Sequence, residues 1–487
     1  MLLDEDEKID VLGKWWVPGR DQPHHPGELF FSKDERPFLK LFDNLGFLTN
    51  PKNSIYTDRS FNEFFPIICG RTELGPATLI NFQLNQADFL IFDALFESED
   101  EARFRRIRLQ FQHFSEWIRQ IIVDRTITFY KDNKGEPIGN ELVYKYCALP
   151  EETFVANDLE FTILFGINTK GGILTTVTLT PMVYLDIAAN APKSVIEWWF
   201  DIIRPIRDLF SLAMDRPIDI SRFSIFDERE TANPRECRVY FKGRRTKKND
   251  TELIVEDMLF AKTDIDSDGL GPLVNNWFRI IKDIPMVCNL YSSVTSIREQ
   301  YLEEEFLSLA QTAELYHRSR LKNAIMPKKE WKDKIKCIID SVPESEKEWL
   351  NEKLIWSNSP TLQNRLEELL DNLEPTTSLL VADKVDFATT VKHTRNYFTH
   401  WDDKQQKKAA THSNLYFVST TLRYLIAACL LTELGFSSEK VAKLFARNHR
   451  IHNFHLNSDN PVSPKPGQIG ESALYSISVA TDSETEG

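Results

Sequence analysis

Sulfur is scarce in this chain, and it is scattered. Six cysteines (Cys69, Cys147, Cys237, Cys288, Cys337 and Cys429) are spread over 487 residues, with no CxxC pair among them. That spacing excludes a disulfide framework and a thiolate metal site, and it fits a reducing compartment. Positive charge is short as well: 59 Lys and Arg stand against 73 Asp and Glu, for a net −14. Such a balance offers no broad basic face for nonspecific nucleic-acid binding, while leaving a local basic cleft open. The opening MLLDEDEKID has neither the basic run nor the apolar core of a secretory signal. The most apolar late run, LRYLIAACLLTELGF, is shorter than the roughly 20 residues needed to cross a bilayer and carries Arg423 and Glu433. We therefore expect a buried helix there, no membrane partner, and a cytoplasmic protein.

The familiar catalytic templates are missing too. There is no Walker A loop, no GxSxG elbow, no HExxH, and no GxGxxG after a strand. Asp264, Asp266 and Asp268 in TDIDSDGLG resemble the front of a calcium loop, but Asn275 stands where the twelfth-position glutamate belongs, so a polar turn is expected. His24 and His25 are adjacent without spaced partner ligands. No metal and no cofactor is expected.

What the chain has in quantity is core-forming material: 42% apolar residues, 33 phenylalanines and 10 tryptophans. The fold class reads as α+β, with a β-rich N-terminal half carrying a few helices, followed by an all-α bundle. The first part holds short β-branched or aromatic runs (GELFF, FLKLF, FPIICG, ATLINFQL, RIRLQFQ, LEFTILFGI, ILTTVTLTPMVYL, then SRFSIF and CRVYF) punctuated by Gly, Pro, Asn and Asp. WWVPG reads as a strand ending in a turn, with one indole buried and one partly exposed. Lys170-Gly171-Gly172 suits a tight hairpin. VIEWWFDIIRPIRDLFSLAM has helical periodicity with Pro205 as a kink.

From Tyr301 the pattern turns helical. Leu302, Phe306, Leu309, Ala313 and Tyr316 form one apolar stripe, and six further amphipathic segments follow. Ser341, Thr361 and Ser438 are candidate N-caps, and Gly435 a candidate stop. We divide the chain into residues 1–295, 296–455 and a polar Pro/Gly/Ser-rich tail at 456–487 that is expected to be disordered.

The chemistry concentrates in HTRNYFTHW, residues 393–401, which holds Arg395, Asn396 and His400. On a helix Asn396 and His400 share a face, whereas Arg395 and His400, five apart, diverge by roughly 140°. One helix does not bring both onto a point; a second copy across a twofold axis would. The residue types suit RNA cleavage: a histidine to move the proton of a ribose 2′-OH, an arginine to hold the phosphate, an asparagine in support. Spacing alone is weak, because Arg108 and His113 repeat it on a strand-like run, and RNHRIH (Arg447, Asn448, His452) repeats the whole motif at the end of the last helix.

Context adds weight. The long first helix FLSLAQTAELYHR and the later VKHTRNYFTHWD resemble the ApeA-like group of HEPN ribonucleases, and VLGKWWVPGRDQPHHPGELFF resembles the start of the ApeA N-terminal domain. The resemblance implies an anti-phage, abortive-infection ribonuclease that needs no metal. It implies Arg395 and His400 as the catalytic pair with Asn396 in support, and a homodimer or higher homo-oligomer. It also implies an N-terminal half that senses a phage protein or restrains the nuclease. The substrate would be RNA, tRNA included. Lys392, His393 and Lys404 near the motif are candidate RNA contacts, as are Arg244 and Arg245 in KGRRTKK, although a solvated hairpin loop or helix face explains each of them more plainly. The alternative is a noncatalytic regulatory protein whose helical domain mediates dimerisation.

Overall fold

Alternation writes the first sheet. In β1 (Ile9–Trp16), Ile9, Val11 and Trp15 are buried while Asp10 and Leu12 face out, the two-residue period of a strand with one wet face. The computed structural model describes residues 8–19, 24–42, 64–120, 123–147, 149–171, 177–229, 234–243, 253–296, 300–354, 357–401 and 403–456. Arg244, Arg245, Gly172 and the tail beyond residue 456 lie outside the described residues.

The chain forms two compact units, Met1–Val255 with Phe260–Asn275, and Glu256–Leu259 with Asn276–Gly487. In the first, β1 pairs with β2 (His25–Phe31), and β2 with β3 (Phe38–Leu41). On its other edge β1 pairs with β4 (Phe65–Thr72), which pairs with β5 (Gly75–Gln83), which pairs with β6 (Gln86–Phe92). The ring closes where Phe38 of β3 meets Gln86 of β6, a seam reinforced by Leu39 N–H to Asn85 O at 2.9 Å and Ala87 N–H to Pro37 O at 2.8 Å. Six antiparallel strands thus make a closed barrel, which leaves none of them with an unpaired edge along its whole length. Its interior holds Ile9, Val11, Trp15, Leu29, Phe31, Leu39, Phe65, Ile68, Leu79 and Leu90, with Tyr240 from a later strand. Trp15 is fully buried and Trp16 half-buried, stacked on His24 at 4.2 Å, so WWVPG divides its two rings as the sequence suggests.

Past Gln86 the edge of β6 that meets β3 pairs instead with β14 (Arg235–Phe241), at Phe89–Ile91, and the ladder runs on through β13 (Ile220–Asp227), β7 (Arg103–Phe111), β12 (Val177–Ser194), β11 (Leu159–Gly171) and β10 (Glu152–Ala156). Asp186 is buried on this sheet between Arg106 and Arg108, and the paired carboxylate raises the Arg108 guanidinium further above its ordinary value. Arg108 is therefore engaged within the sheet, while His113 lies beyond the strand and contacts Glu116 at 3.0 Å; the RIRLQFQH spacing joins nothing. A separate two-stranded ribbon, β8 (Val123–Lys131) with β9 (Pro137–Tyr146), was not apparent in the sequence.

The short helix α1 (Phe114–Ile118) packs its Trp117 Nε1–H onto Phe260 O at 3.0 Å. The predicted Pro205 kink takes the form of a π-helical stretch, Trp199–Ile203, between α2 (Val195–Trp198) and α3 (Arg204–Ala213). Pro205 has no N–H to give to the carbonyl of Asp201, and the wider turn accommodates the missing bond.

The helical region begins with α4 (Leu270–Asp283) and α5 (Pro285–Ser296), in a stretch where the sequence pattern indicated no element. They continue through α6 (Leu302–Arg320), α7 (Lys328–Asp340), α8 (Glu344–Leu354), α9 (Leu362–Asn372), α10 (Thr377–Leu380), α11 (Lys384–His400), α12 (Asp403–Gln406), α13 (Ser413–Leu434), α14 (Ser438–Arg447) and α15 (His449–Leu456). The class is the expected one, a β-rich half followed by a helical region. Two caps differ from expectation. Ser341 closes α7, its hydroxyl donating back to Ile338 O at 2.6 Å, and Ser437, not Ser438, opens α14 by accepting from Lys440 N–H at 3.2 Å. Thr361 and Gly435 act as read. The apolar helix α13 is 22 residues, long enough to cross a bilayer, so its length excludes nothing. It packs as a core helix, buried from Leu422 to Leu431 except at Arg423.

Candidate functional site

Helix α11 is fixed at both ends by polar contacts. Asp383 caps its start, accepting from Val385 and Asp386 N–H at 2.9 Å each. Phe387, Ala388, Val391, Thr394 and Tyr397 form the buried face, a three-to-four spacing that turns the opposite side outward. Just past the helix, the chain is tied back by Thr394, whose Oγ1 accepts from Ala410 N–H at 2.8 Å. Lys384 binds Asp371 and Glu374, which brings the start of the helix against the end of α9. Although burial works against its charged form, Lys384 with Ser378 holds the Glu374 carboxyl below its ordinary value.

Arg395, Asn396 and His400 lie on the accessible side: Arg395 and Asn396 are half-buried and His400 is exposed. Arg395 leans toward α6, its Nη2 3.5 Å from the Glu314 carboxylate, and its Nη1 donates to Asn396 Oδ1 at 3.3 Å. The guanidinium is thus oriented from two sides, and Asn396 serves the arginine rather than the histidine. His400 occupies the last helical position, followed by Trp401 in the left-handed backbone region (φ 54°, ψ 39°).

Beneath Glu314, one turn along α6, is a cluster that the sequence reading missed. His317 is fully buried and Arg365 nearly so. Arg365 Nη1 donates to His317 Nδ1 at 2.9 Å, so the imidazole carries its proton on Nε2, which contacts Glu368 Oε2 at 2.8 Å. The guanidinium also donates to Asn323 Oδ1 at 2.6 Å and Pro360 O at 3.1 Å. Burial lowers Arg365 below its ordinary value, and the charge of Glu314 partly opposes the fall. Glu314 is thereby electrostatically shared between Arg395 and Arg365. Nothing local in the sequence signals this, because Arg365 is 48 residues from His317.

The remaining candidates hold separate places. His393 Nδ1 contacts Gln405 Oε1 at 2.6 Å, joining α11 to α12, and Lys392 Nζ donates to Gln363 on α9 at 2.7 Å. Lys404 is exposed on α12. The repeat RNHRIH does not share the geometry of RNYFTH. Arg447 ends α14, and buried Asn448 breaks the helix. Its side chain caps α15, accepting from Arg450 N–H at 2.9 Å and Ile451 N–H at 3.1 Å while donating to Met258 O at 3.0 Å. Arg447 and His452 therefore belong to different helices. Among the described residues no group of three or more His, Cys, Asp or Glu side chains is arranged to hold a metal ion.

Comparison with known families adds two matches. The model for ApeA N-terminal domain 1 matches residues 10–277, and that for Apea-like HEPN matches residues 307–440. The second span contains Glu314, His317, Arg365 and the whole RNYFTH segment. No curated protein and no solved structure matches the chain.

Proposed function

Because the chain belongs to the ApeA-like HEPN proteins of anti-phage defence, we propose that it is a metal-independent endoribonuclease whose centre is built from Arg395, His400 and Asn396. The observation that carries the reading is the arrangement on α11: an arginine held by Glu314 and Asn396 on the accessible face, and an exposed histidine at the helix end. In this reading the 2′-oxygen of a ribose attacks the adjacent phosphorus. One His400 accepts the 2′-proton, the other His400 of the composite site delivers a proton to the departing 5′-oxygen, and Arg395 offsets charge on the pentavalent phosphorus. The products are a 2′,3′-cyclic phosphate and a 5′-hydroxyl, and DNA, lacking the 2′-oxygen, is spared.

Arg395 and His400 point roughly 140° apart around one helix. We therefore take the working site to be composite, two α11 helices meeting across a twofold axis in a homodimer or larger assembly. The β-rich half is the regulatory part in this proposal, restraining the nuclease until a phage component is present.

The test compares RNA from phage-challenged cells expressing the wild type, Arg395→Ala, His400→Ala and His452→Ala. Cleavage is expected in the wild type and His452→Ala and is lost in the other two, with chelator making no difference to the purified protein. Cleavage persisting in both Arg395→Ala and His400→Ala refutes the assignment and leaves a noncatalytic, dimerising role for the helical unit.

A further inference from the structure

The residue after His400 is out of place by ordinary rules. Trp401 is 72% exposed, and it takes a left-handed backbone conformation (φ 54°) at a helix end where glycine is the usual occupant. Its amide donates to Tyr397 O at 2.7 Å, which sets the ring's position. One face of the indole lies on Tyr397, with centroids 5.3 Å apart and planes 18° from parallel. Tyr397 is buried and packs on Phe398 at 5.2 Å, and Phe398 packs on fully buried Phe306 at 6.0 Å. A column of aromatic rings thus rises from the core of the helical unit and ends in an indole with its outer side in solvent.

A strained backbone and an exposed indole both cost stability, which the stacking on Tyr397 offsets only in part, and glycine would cap the helix with less strain. Such costs persist where a ligand uses the group. The adjoining surface indicates which ligand. Trp401 is one residue, about 3.8 Å of chain, from His400, and the segment that follows presents exposed Lys407 and Lys408. Its placement beside α11 is fixed by the His393–Gln405 contact and the Thr394–Ala410 hydrogen bond. A flat ring supported from behind, a proton-transfer group beside it and cations beyond match a base, a ribose-phosphate and the continuing backbone of a single strand.

We propose that Trp401 is a base-stacking site: an unpaired nucleobase next to the scissile phosphate lies on its open face, so the site selects single-stranded RNA. This rests on the ribonuclease reading of the same helix. In a duplex the bases stack on one another and offer no free face, so paired RNA is excluded without any sequence readout.

The test uses the full chain carrying His400→Ala, so that RNA binds uncut. Binding of a fluorescein-labelled oligouridine and of a blunt RNA duplex is followed by anisotropy, with Trp401 intact or replaced by Phe, Ala or Gly. Alanine and glycine are expected to weaken single-strand binding by roughly 5- to 150-fold, with Phe retaining most of it and duplex binding unchanged. Glycine relieves the left-handed strain, so its loss of binding is not a failure to fold. Equal oligouridine affinity in all four proteins overturns the proposal. So does an assembly mass that falls in Trp401→Ala while affinity stays constant, since that makes the ring a contact between copies. Because no cleavage is read, failure of the catalytic assignment leaves the measurement intact.

Discussion

Replacing Arg365 tests whether the cluster beneath Glu314 is a coupled unit. Arg365→Met keeps length and apolar stem while removing three hydrogen bonds, to His317 Nδ1, Asn323 Oδ1 and Pro360 O. The His317 acceptor is fully buried and loses its partner outright, which costs about 1–3 kcal/mol. Asn323 and Pro360 have part-buried bonds whose oxygens can turn to water, at about 0.5–1.5 kcal/mol each. Relief of the buried cation's desolvation offsets part of this, leaving a net loss of about 2–4 kcal/mol. In a unit of this size that lowers the melting temperature by roughly 4–16 °C. His317→Phe strands the same hydrogen bond from the other side and is expected to cost a similar amount. The decisive protein is the double variant. If the two side chains are coupled, it loses less than the sum of the singles by about 1–3 kcal/mol, because the orphaned partner is removed as well. Urea unfolding followed by circular dichroism supplies all three values. Strict additivity, or a loss below about 0.5 kcal/mol in Arg365→Met, refutes the reasoning.

Two other outcomes follow from packing and titration. A methyl group on Gly70 would sit 2.2 Å from the buried ring of Trp15, so Gly70→Ala should cost about 1–3 kcal/mol and alter the near-ultraviolet signal of the barrel tryptophan; an unchanged melting temperature and spectrum contradict this. Burial raises the Glu305 carboxyl, with Arg423 opposing it in part. The folded chain therefore binds this proton more tightly than the unfolded chain, so no penalty exists below the ordinary carboxylate range and one develops as pH rises through it. Glu305→Gln should match the wild type near pH 4 and exceed it in thermal stability at neutral pH; a difference independent of pH argues against a buried carboxylate.

Local periodicity carried much of the fold. The runs GELFF, FPIICG and CRVYF are strands, and every amphipathic segment after Tyr301 is a helix, because each buries one face at the period of its own element. What escaped is what depends on distant partners. The barrel closes through β1 with β4 and β3 with β6, pairings that no local pattern specifies. The ribbon of β8 and β9 has exposed apolar side chains along it, including Phe129, Ile138 and Tyr144, so the contrast between inner and outer faces is missing. At the site, Arg395, Asn396 and His400 were legible as a motif on a helix. Glu314 and Arg365 were not, since a charge pair between helices leaves no trace in the spacing of either. RNHRIH shows the converse: its asparagine ends one helix and starts the next, so identical letters yield no shared face.

The strand β6 has three partners: β5 along one edge, and on the other β3 at Gln86 followed by β14 at Phe89–Ile91. The barrel spans residues 9–92, yet one wall of its interior is Tyr240, supplied some 150 residues later by β14. A fragment ending after β6 would keep all six staves and still expose Phe31 and Phe92, the rings against which Tyr240 packs. During synthesis on the ribosome those rings must wait for β14 to emerge, so the first hundred residues supply most of the barrel core but leave one wall of it open. The barrel is therefore first in sequence and among the last parts of its unit to be completed.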